Sequence, residues 1–336
     1  MTTRRWAAAP VALLGFVGSV AAVTHATTPS TVSPVGSATP ASSATSDWQR
    51  VGAGMTGGVS GLAVIENGAA PGAAFDLVMV RDNKNTGENR IATVQYHPAG
   101  RPVVRELPWS GMAVPKDLEA VDSVPGQSGD FVAFSSDGTA YHFTLDPNAA
   151  MVWGSSTVPG RATGDNYESF ALTRQQGRTI AVWATRGSSE GRPAKVRAAE
   201  YDPNSGAFGP AVGPVDFSVP DPLPVDGQEV RHASDMKVHA DGTVLLTAAS
   251  DPNINSGPFA SAVYRAGTVT VGARGTIRVN LKAKAQLTPI ATFDKDVDNR
   301  KIEAVACRSN SGTGLVGTDD EEQGGSLLPL DICPSP

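Results

Sequence analysis

Residues 117–137 read DLEAVDSVPGQSGDFVAFSSD. In this stretch a glutamate precedes a small and an apolar residue, a loop of Pro, Gly and Ser follows, and an apolar run ends in polar residues. The run 130–134 is bounded by turn residues on both sides, which is typical of a β-strand. The same order of features occurs four more times along the chain, so it indicates a structural repeat.

The five markers of this repeat share a polar residue, a small or short residue and an apolar residue. They are Ser60-Gly61-Leu62, Glu119-Ala120-Val121, Glu168-Ser169-Phe170, Ser234-Asp235-Met236 and Glu303-Ala304-Val305. The strands predicted to follow them are 75–80, 130–134, 179–183, 244–248 and 314–317.

Successive markers lie 59, 49, 66 and 69 residues apart, which is too irregular for a solenoid but leaves room for four strands each. The pattern predicts an all-β, five-bladed β-propeller. Residues 48–54 are expected to supply an N-terminal strand that completes the last blade and closes the ring. Six blades are the alternative, if residues 265–293 contain a further blade.

The beginning of the chain predicts export. Arg4 and Arg5 precede an apolar run at 11–23 and small residues, so residues 1–26 are predicted to be a signal peptide. In residues 27–47, 18 of 21 are Ser, Thr, Pro, Ala or Gly, which predicts a disordered spacer. Residues 48–336 then form the propeller domain. Because no second long apolar run follows, we expect a secreted, extracellular protein without a membrane span.

Charge and cysteine content narrow the range of partners. The formal charge is −6 and there is no basic run, so nucleic acid is not expected as a partner. A small anionic or ester substrate, or an extracellular polymer, fits better, and we expect a monomer. Cys307 and Cys333 are the two cysteines, and in an oxidising compartment they are predicted to form a disulfide.

The polar marker residues predict a site on the axis of the propeller. The innermost strands of the blades line the central channel, so the residues that begin them converge near one face. Three carboxylates in a narrow channel repel one another unless they are protonated or neutralised by a cation, and Ca²⁺ accepts such oxygen ligands. The predicted calcium ligands are Ser60, Glu119, Glu168, Ser234 and Glu303, with Asp82, Asp235 and Asp319 around them. The alternative is that these residues bind neighbouring backbone groups or water.

Basic residues beside the markers or the strand ends could hold an anionic substrate. The catalytic candidates are Arg81, Arg186, Arg231, His232 and Lys301. Alternatively, they are solvated partners of the neighbouring acids. The sequence has no nucleophile elbow, no zinc-protease motif and no phosphate-binding loop, which argues against serine hydrolases of the usual fold and loop-type nucleotide kinases.

Two family resemblances follow from these residues. The order Ser, Glu, Glu, Ser, Glu, with Lys301-Ile302-Glu303 at its end, resembles the central calcium site of the secreted calcium-dependent apyrases, five-bladed propellers that hydrolyse nucleoside di- and triphosphates. The segments DLEAVDSV, DNYESFAL, KIEAVAC and GTDDEEQGG are similar to the bacterial esterase-like phytase group of exported propellers. That resemblance implies hydrolysis of phosphoester or carboxylester bonds.

The leading hypothesis from the sequence is therefore a secreted, calcium-binding propeller that is a metal-assisted hydrolase of a phosphorylated or ester substrate. A propeller that binds a glycan, cell-wall or protein partner without catalysis is the alternative, because the fold supports both. A third hypothesis is hydrolysis of lactones or sugar esters, which would need an apolar pocket.

Overall fold

The computed structural model describes residues 48–66, 73–189, 191–222, 229–309 and 311–334. It contains 23 strands and two short 3-10 helices, Lys284–Gln286 and Glu321–Gln323. The strands in chain order are β1 (Gln49–Arg50), β2 (Gly61–Val64), β3 (Phe75–Val80), β4 (Ile91–Tyr96), β5 (Val103–Leu107), β6 (Trp109–Ser110), β7 (Leu118–Ser123), β8 (Asp130–Ser135), β9 (Thr139–Asp146), β10 (Ala149–Thr157), β11 (Tyr167–Gln175), β12 (Arg178–Thr185), β13 (Ala194–Asp202), β14 (Ala207–Phe208), β15 (Val212–Phe217), β16 (Glu229–Val238), β17 (Thr243–Asp251), β18 (Ala260–Val271), β19 (Ile277–Leu281), β20 (Pro289–Phe293), β21 (Ile302–Cys307), β22 (Gly314–Thr318) and β23 (Ser326–Leu330).

These strands form five sheets, which are the five predicted blades, and all pairs are antiparallel except β6, which runs parallel to β10. Blade 1 is β2-β3-β4-β5, blade 2 is β7-β8-β9-β10 with β6 at its edge, and blade 3 is β11-β12-β13 with β14 and β15. Blade 4 is β16-β17-β18 with β19 and β20, and blade 5 is β21-β22-β23-β1. Neighbouring inner strands contact one another in sequence, and β21 contacts β2, so the ring is closed. The fold is the predicted five-bladed β-propeller.

The N-terminal strand completes the last blade, as expected. Gln49 pairs with Leu327 and Arg50 with Ser326 in antiparallel register. The N–H of Val51 continues the contact and donates to the carbonyl of Gly325 at 2.9 Å. Joining the two ends of the described chain in one sheet leaves no unpaired edge at this junction.

The six-bladed alternative is wrong. Residues 265–293 contain the end of β18, then β19 and β20, and both of these strands pair with β18. β18 has 12 residues; β20 pairs with its first half and β19 with its second half. β19 and β20 therefore do not form a sheet of their own. The long spacing between the fourth and fifth markers is therefore taken up within blade 4.

Apolar packing between blades forms the core. All six residues of β3 are buried, because a blade has a neighbouring blade against each face and both sets of alternating side chains are covered. Blades 2 and 3 meet at Phe134 and Phe170, whose ring centroids are 5.0 Å apart. Near the axis blades 1 and 2 approach each other more closely, because a Cβ on Gly61 would lie 2.8 Å from the Cα of Ala120.

The predicted disulfide is present: Cys307 and Cys333 are bonded, with their Cα atoms 5.8 Å apart. It ties the chain after β23 to the end of β21. No helix in the described ranges is long and apolar enough to cross a membrane. The predicted signal peptide (1–26) and spacer (27–47) lie outside the described residues, so export stays a prediction.

Candidate active site

The ring glutamates reach the channel through β-bulges in the inner strands. In blade 2 the pairing of β7 with β8 shifts between Leu118 and Ala120, so Glu119 is the one residue without a partner. The same shift leaves out Glu168 in blade 3 and Glu303 in blade 5. A bulge of this kind bends the strand locally and re-aims a side chain. The backbone irregularity thus coincides with the marker residue in each of these blades.

The two serine markers are placed differently. In blade 4 the register shift spans Arg231 to Asp235 and includes Ser234. In blade 1, Ser60 directly precedes β2, and its N–H donates to the carbonyl of Val80 at 3.1 Å. All five predicted ring residues therefore lie at the start of an inner strand or within its first bulge, and all are buried.

A cavity of about 300 Å³ lies at this end of the channel. Among the described residues, its charged lining consists of eight carboxylates and four cationic side chains, a formal excess of four negative charges. The carboxylates are Asp82, Glu88, Asp117, Glu119, Glu168, Glu303, Asp319 and Glu321, and the cations are Lys84, Arg186, Arg231 and Lys301. Strongly coupled carboxylates in one partly closed cavity are a feature of functional sites.

One side of the cavity is a network of ion pairs around Glu303. Arg231 donates to Glu303 Oε1 at 2.5 Å and to Asp251 Oδ2 at 2.6 Å. Lys301 Nζ lies 3.5 Å from the same Glu303 oxygen and 3.7 Å from Asp319, and it donates to Glu321. Two cationic side chains thus lie against one carboxylate, Glu303.

The carboxylates also keep both cations protonated. Burial by itself lowers the pKa of Arg231, but the negative charges of Glu303, Glu168 and Asp251 outweigh it and raise the pKa above its ordinary value. The balance is the same for Lys301. Burial lowers its pKa, but the negative charges of Glu303 and Asp319 outweigh burial and raise the pKa above its ordinary value. This side of the cavity is therefore a cluster of ion pairs, in which burial raises the pKa of Asp319 well above its usual range.

The other side of the cavity, around Glu119, has a different balance. Burial raises the pKa of Glu119 well above its usual range, and the charges of Glu168 and Asp82 add to the shift. For Glu168, burial raises the pKa to about 7 against the opposing charge of Arg231. Asp82 is raised to about 6, again mainly by burial, with Glu303 adding to it. Near neutral pH this side holds carboxyl groups that are partly or fully protonated.

The hydrogen-bond and ion-pair partners of the carboxyl groups on this side explain why it differs from the side around Glu303. Glu168 accepts a hydrogen bond from Asn166 Nδ2 at 3.0 Å and lies 3.7 Å from Arg186. Lys84 lies 2.9 Å from Asp117 at the exposed rim, with 59% of its side chain accessible, so its charge is largely screened by water.

The oxygen ligands that Ca²⁺ prefers are present, but they are not gathered into one cluster. Ser234 Oγ is buried and has no hydrogen-bond partner among the described residues, but neither Ser234 nor Ser60 lines the cavity. Ser60 Oγ accepts the N–H of Asp82 at 3.1 Å. Within the described part of the chain, no three ring carboxylates bring oxygens within 4.8 Å of one another. Glu119 and Glu168 therefore fit a divalent cation better than Glu303, which two cationic side chains already neutralise.

The structure separates the predicted catalytic residues into two groups. Arg186, Arg231 and Lys301 line the cavity. Arg81 is buried outside it and donates to the carbonyl of Thr56 at 2.9 Å, which holds the N-terminal segment. His232 is also outside it: Nε2 lies 2.8 Å from the carbonyl of Ser189, and the other ring nitrogen accepts a backbone N–H. We make no further catalytic proposal for Arg81 or His232.

The three aspartates predicted to surround the ring also fall into two groups, those that line the cavity and one that does not. Asp82 and Asp319 line the cavity. Asp235 does not, because its two oxygens accept the backbone N–H groups of Met236 and Val305, both at 2.8 Å. It joins blade 4 to blade 5 deeper in the channel, where burial raises its pKa to about 7.

Sequence reasoning missed several residues of the site. Lys84, Asp117 and Asn166 line the cavity from loops, and Glu321 lines it from the 3-10 helix Glu321–Gln323. Asp251, which binds Arg231, ends β17. The polar ends of the second strands are a signal that could have found Asp251. Asp117 and Asn166 each lie two residues before a marker glutamate, and this shared position could have found them, whereas Lys84 and Glu321 have no such signal.

Comparison with known proteins gives no family for this chain. No protein-family model and no curated protein matches it. Similar solved structures include Bacteroides ovatus xyloglucan PUL GH43B, with 13% identity, a TM-score of 0.42, and coverage of 83% of this chain and 56% of that one. Another is an exo-1,5-alpha-L-arabinanase from a bovine ruminal metagenomic library, with 10% identity, a TM-score of 0.47, and coverage of 81% and 92%.

A third is the GH43 protein BlXynB from Bacillus licheniformis, with 14% identity, a TM-score of 0.38, and coverage of 63% of this chain and 42% of that one. This chain thus spans about half the length of the two GH43 proteins named here. Likeness at these identities and TM-scores gives no basis for assigning an activity. None of the three is a phytase or an apyrase, so they lend no support to the resemblance of the sequence to those families.

Proposed function

We propose that the cavity is the active site of a hydrolase that works by acid–base chemistry between carboxyl groups. The observation that supports it is the contrast between two buried glutamates of one ring. Glu119 is surrounded by acids and has a strongly raised pKa, whereas Glu303 is paired with Arg231 and Lys301. Two carboxyl groups in such different electrostatic surroundings are suited to act as general acid and general base.

The roles follow from those environments. Glu303, which lies between two cations, accepts a proton from a water molecule as that water attacks the substrate. Glu119, protonated, donates its proton to the leaving oxygen as the bond to the substrate breaks. Between turnovers Glu168, with a pKa near 7, can take up the proton held by Glu303 and pass a proton on to Glu119. Each proton thus has a donor and an acceptor within the ring.

The charge of the cavity favours a substrate that is neutral where it reacts. With Glu119 protonated, the formal excess falls from four negative charges to three, and the cavity still repels a phosphate dianion. A carboxylester, which is part of the sequence-based prediction, meets this condition. The acid–base roles apply equally to other neutral bonds to oxygen, such as acetals.

A second candidate, calcium-assisted hydrolysis of a phosphorylated substrate, is supported by the formal excess of negative charge in the cavity. Glu119 and Glu168 would hold the ion, and a bound Ca²⁺ would attract phosphate oxygens. In that case Glu119 is ionised and no longer carries a proton to donate. The two candidates are therefore mutually exclusive at Glu119.

Activity with and without calcium separates the two candidates. Carboxylesters, glycosides, inositol phosphates and nucleoside polyphosphates are assayed in Ca²⁺ or in a chelator, with Glu119→Gln and the exposed variant Glu200→Gln as matched control. The acid–base proposal expects chelator-resistant hydrolysis of a neutral substrate, a loss of about 100-fold or more in Glu119→Gln, and loss of the alkaline limb of the pH profile.

Chelator-sensitive phosphate release would instead establish the calcium candidate. Wild-type turnover of a neutral substrate that Glu119→Gln leaves unchanged would refute the proposed role of Glu119. Absence of activity toward every substrate, with binding of a glycan or cell-wall polymer that Glu168→Gln retains, would favour the non-catalytic alternative.

A further inference from the structure

A second cavity, of about 800 Å³, lies at the opposite end of the inner strands and is separate from the carboxylate cavity. Its walls include the ends of β2, β7, β16 and β21, together with Cys307 and His239. Between the two cavities the channel is crossed by Lys237, which donates to the carbonyl of Val121 at 2.8 Å and lies 3.6 Å from Asp122.

At this second cavity one histidine lies against the disulfide. A ring nitrogen of His239 and the sulfurs of Cys307 and Cys333 all lie within 4.8 Å of one another. His239 Nε2 is buried and has no hydrogen-bond partner in the described part of the chain. Among the described residues, the protein therefore provides no hydrogen-bond partner for this nitrogen, and the two sulfurs are its neighbours.

The backbones of these residues are held in place independently of the disulfide. The N–H of His239 donates to the carbonyl of Thr243 at 2.9 Å, and its own carbonyl accepts the hydroxyl of Thr173 at 3.0 Å. The N–H of Cys333 donates to the carbonyl of Gly312 at 2.9 Å, and Cys307 belongs to β21. Opening the disulfide leaves these hydrogen bonds in place, so the three side chains stay close together.

We propose that reduction of this disulfide creates a site for a thiophilic divalent metal such as Zn²⁺, with Cys307, Cys333 and His239 as ligands. A thiol or phosphine reductant supplies two electrons, the S–S bond breaks, and two protons convert the sulfurs to thiols. Zn²⁺ then displaces both thiol protons and binds two thiolates and the neutral imidazole.

The geometry requires only a small adjustment. Tetrahedral Zn²⁺ with ordinary bond lengths places its sulfur and nitrogen ligands about 3.5–3.8 Å apart. The fourth position is left to water from the cavity, because three protein ligands are present. Cys₂His with one open position is an established zinc-ligand set.

The test uses the full chain, reduced by a phosphine, with Zn²⁺ titrated against a chromophoric chelator and Cd²⁺ as a spectroscopic probe of thiolate binding. We expect one Zn²⁺ per reduced chain, a thiolate-to-Cd²⁺ absorption band, and no such binding by the oxidised chain. His239→Gln should weaken Zn²⁺ binding by about 10-fold or more, whereas His97→Gln, on blade 1, should not. Glu119→Gln should bind Zn²⁺ normally, which separates this site from the carboxylate cavity.

Equal Zn²⁺ binding by the oxidised and reduced chains would overturn the proposal, as would an unchanged affinity in His239→Gln. Where Cys333→Ser does not fold, alkylation of the reduced thiols provides the same control and should abolish the Cd²⁺ band. Loss of the β-sheet circular dichroism signal on reduction, without recovery on addition of Zn²⁺, would also refute it, because the ligand set would then not be held together.

Discussion

Arg231 is the residue whose replacement most directly tests the electrostatics of the ring. It binds Asp251 of its own blade and Glu303 of blade 5, and the two carboxylate side chains are 3% and 4% exposed. Arg231→Met keeps most of the side-chain volume but leaves both buried carboxylates without their closest cation. Removing one partner of a buried ion pair costs about 3–5 kcal/mol. Lys301 remains within 3.5–3.8 Å of both acids, so we expect the lower end, about 3 kcal/mol.

The assay is urea unfolding at pH 7.5, followed by tryptophan fluorescence. The matched control is Arg178→Met, whose ion pair with Glu200 has side chains 44% and 49% exposed and should contribute less than about 1 kcal/mol. Adding Glu303→Gln to Arg231→Met should restore part of the lost free energy of unfolding, because one of the uncompensated charges is removed. Equal losses in the two arginine variants, or no recovery in the double variant, would refute the ion-pair network described here.

Three further predictions concern stability. Because the pKa of Glu168 rises from 4.5 to about 7 on folding, the folded chain binds more protons between those values, and the free energy of unfolding should fall by on the order of 3 kcal/mol as pH rises through this window. Urea titrations from pH 4.5 to 8 check this, and the slope should diminish in Glu168→Gln. Replacing both Cys307 and Cys333 by serine should lower stability by about 3 kcal/mol, measured by the same unfolding curves. Gly61→Ala places a Cβ 2.8 Å from the backbone of blade 2 and should cost about 1–3 kcal/mol, whereas Gly191→Ala, which meets nothing within 4 Å, should not change the melting temperature appreciably.

The fold was predictable because the blades repeat a pattern of residues. The predicted strands 75–80, 130–134, 179–183, 244–248 and 314–317 all lie within the second strands of the five blades. Closure by the N-terminal strand followed from the short last segment, and it is observed between β1 and β23. The number of blades was ambiguous only where β19 and β20 share one partner, since strand length alone does not say which sheet a strand joins.

The site was predictable only in part. Residues at equivalent positions of a repeat must come near one another around an axis, so the glutamates could be placed from their register. The ion pairs of these glutamates could not be predicted. Arg231 and Glu303 are 72 residues apart, and their contact depends on how blade 4 meets blade 5. Position at the end of a second strand also misled for Arg81, which follows β3 and binds the carbonyl of Thr56.

The bulges give a reason to regard the carboxylate ring as selected for more than closure of the fold. Among the described pairs of first and second strands, four contain a register shift, and each shift includes a marker residue: Glu119, Glu168, Ser234 or Glu303. Pairing without the shift would keep the ladder regular, and an apolar side chain at each of these buried positions would avoid the desolvation of a carboxylate. A propeller that needed only to close would lose stability by keeping these features. Their coincidence at one end of one channel therefore supports a chemical role for that end, and the acid–base roles of Glu119 and Glu303 are the form of that role that can be tested first.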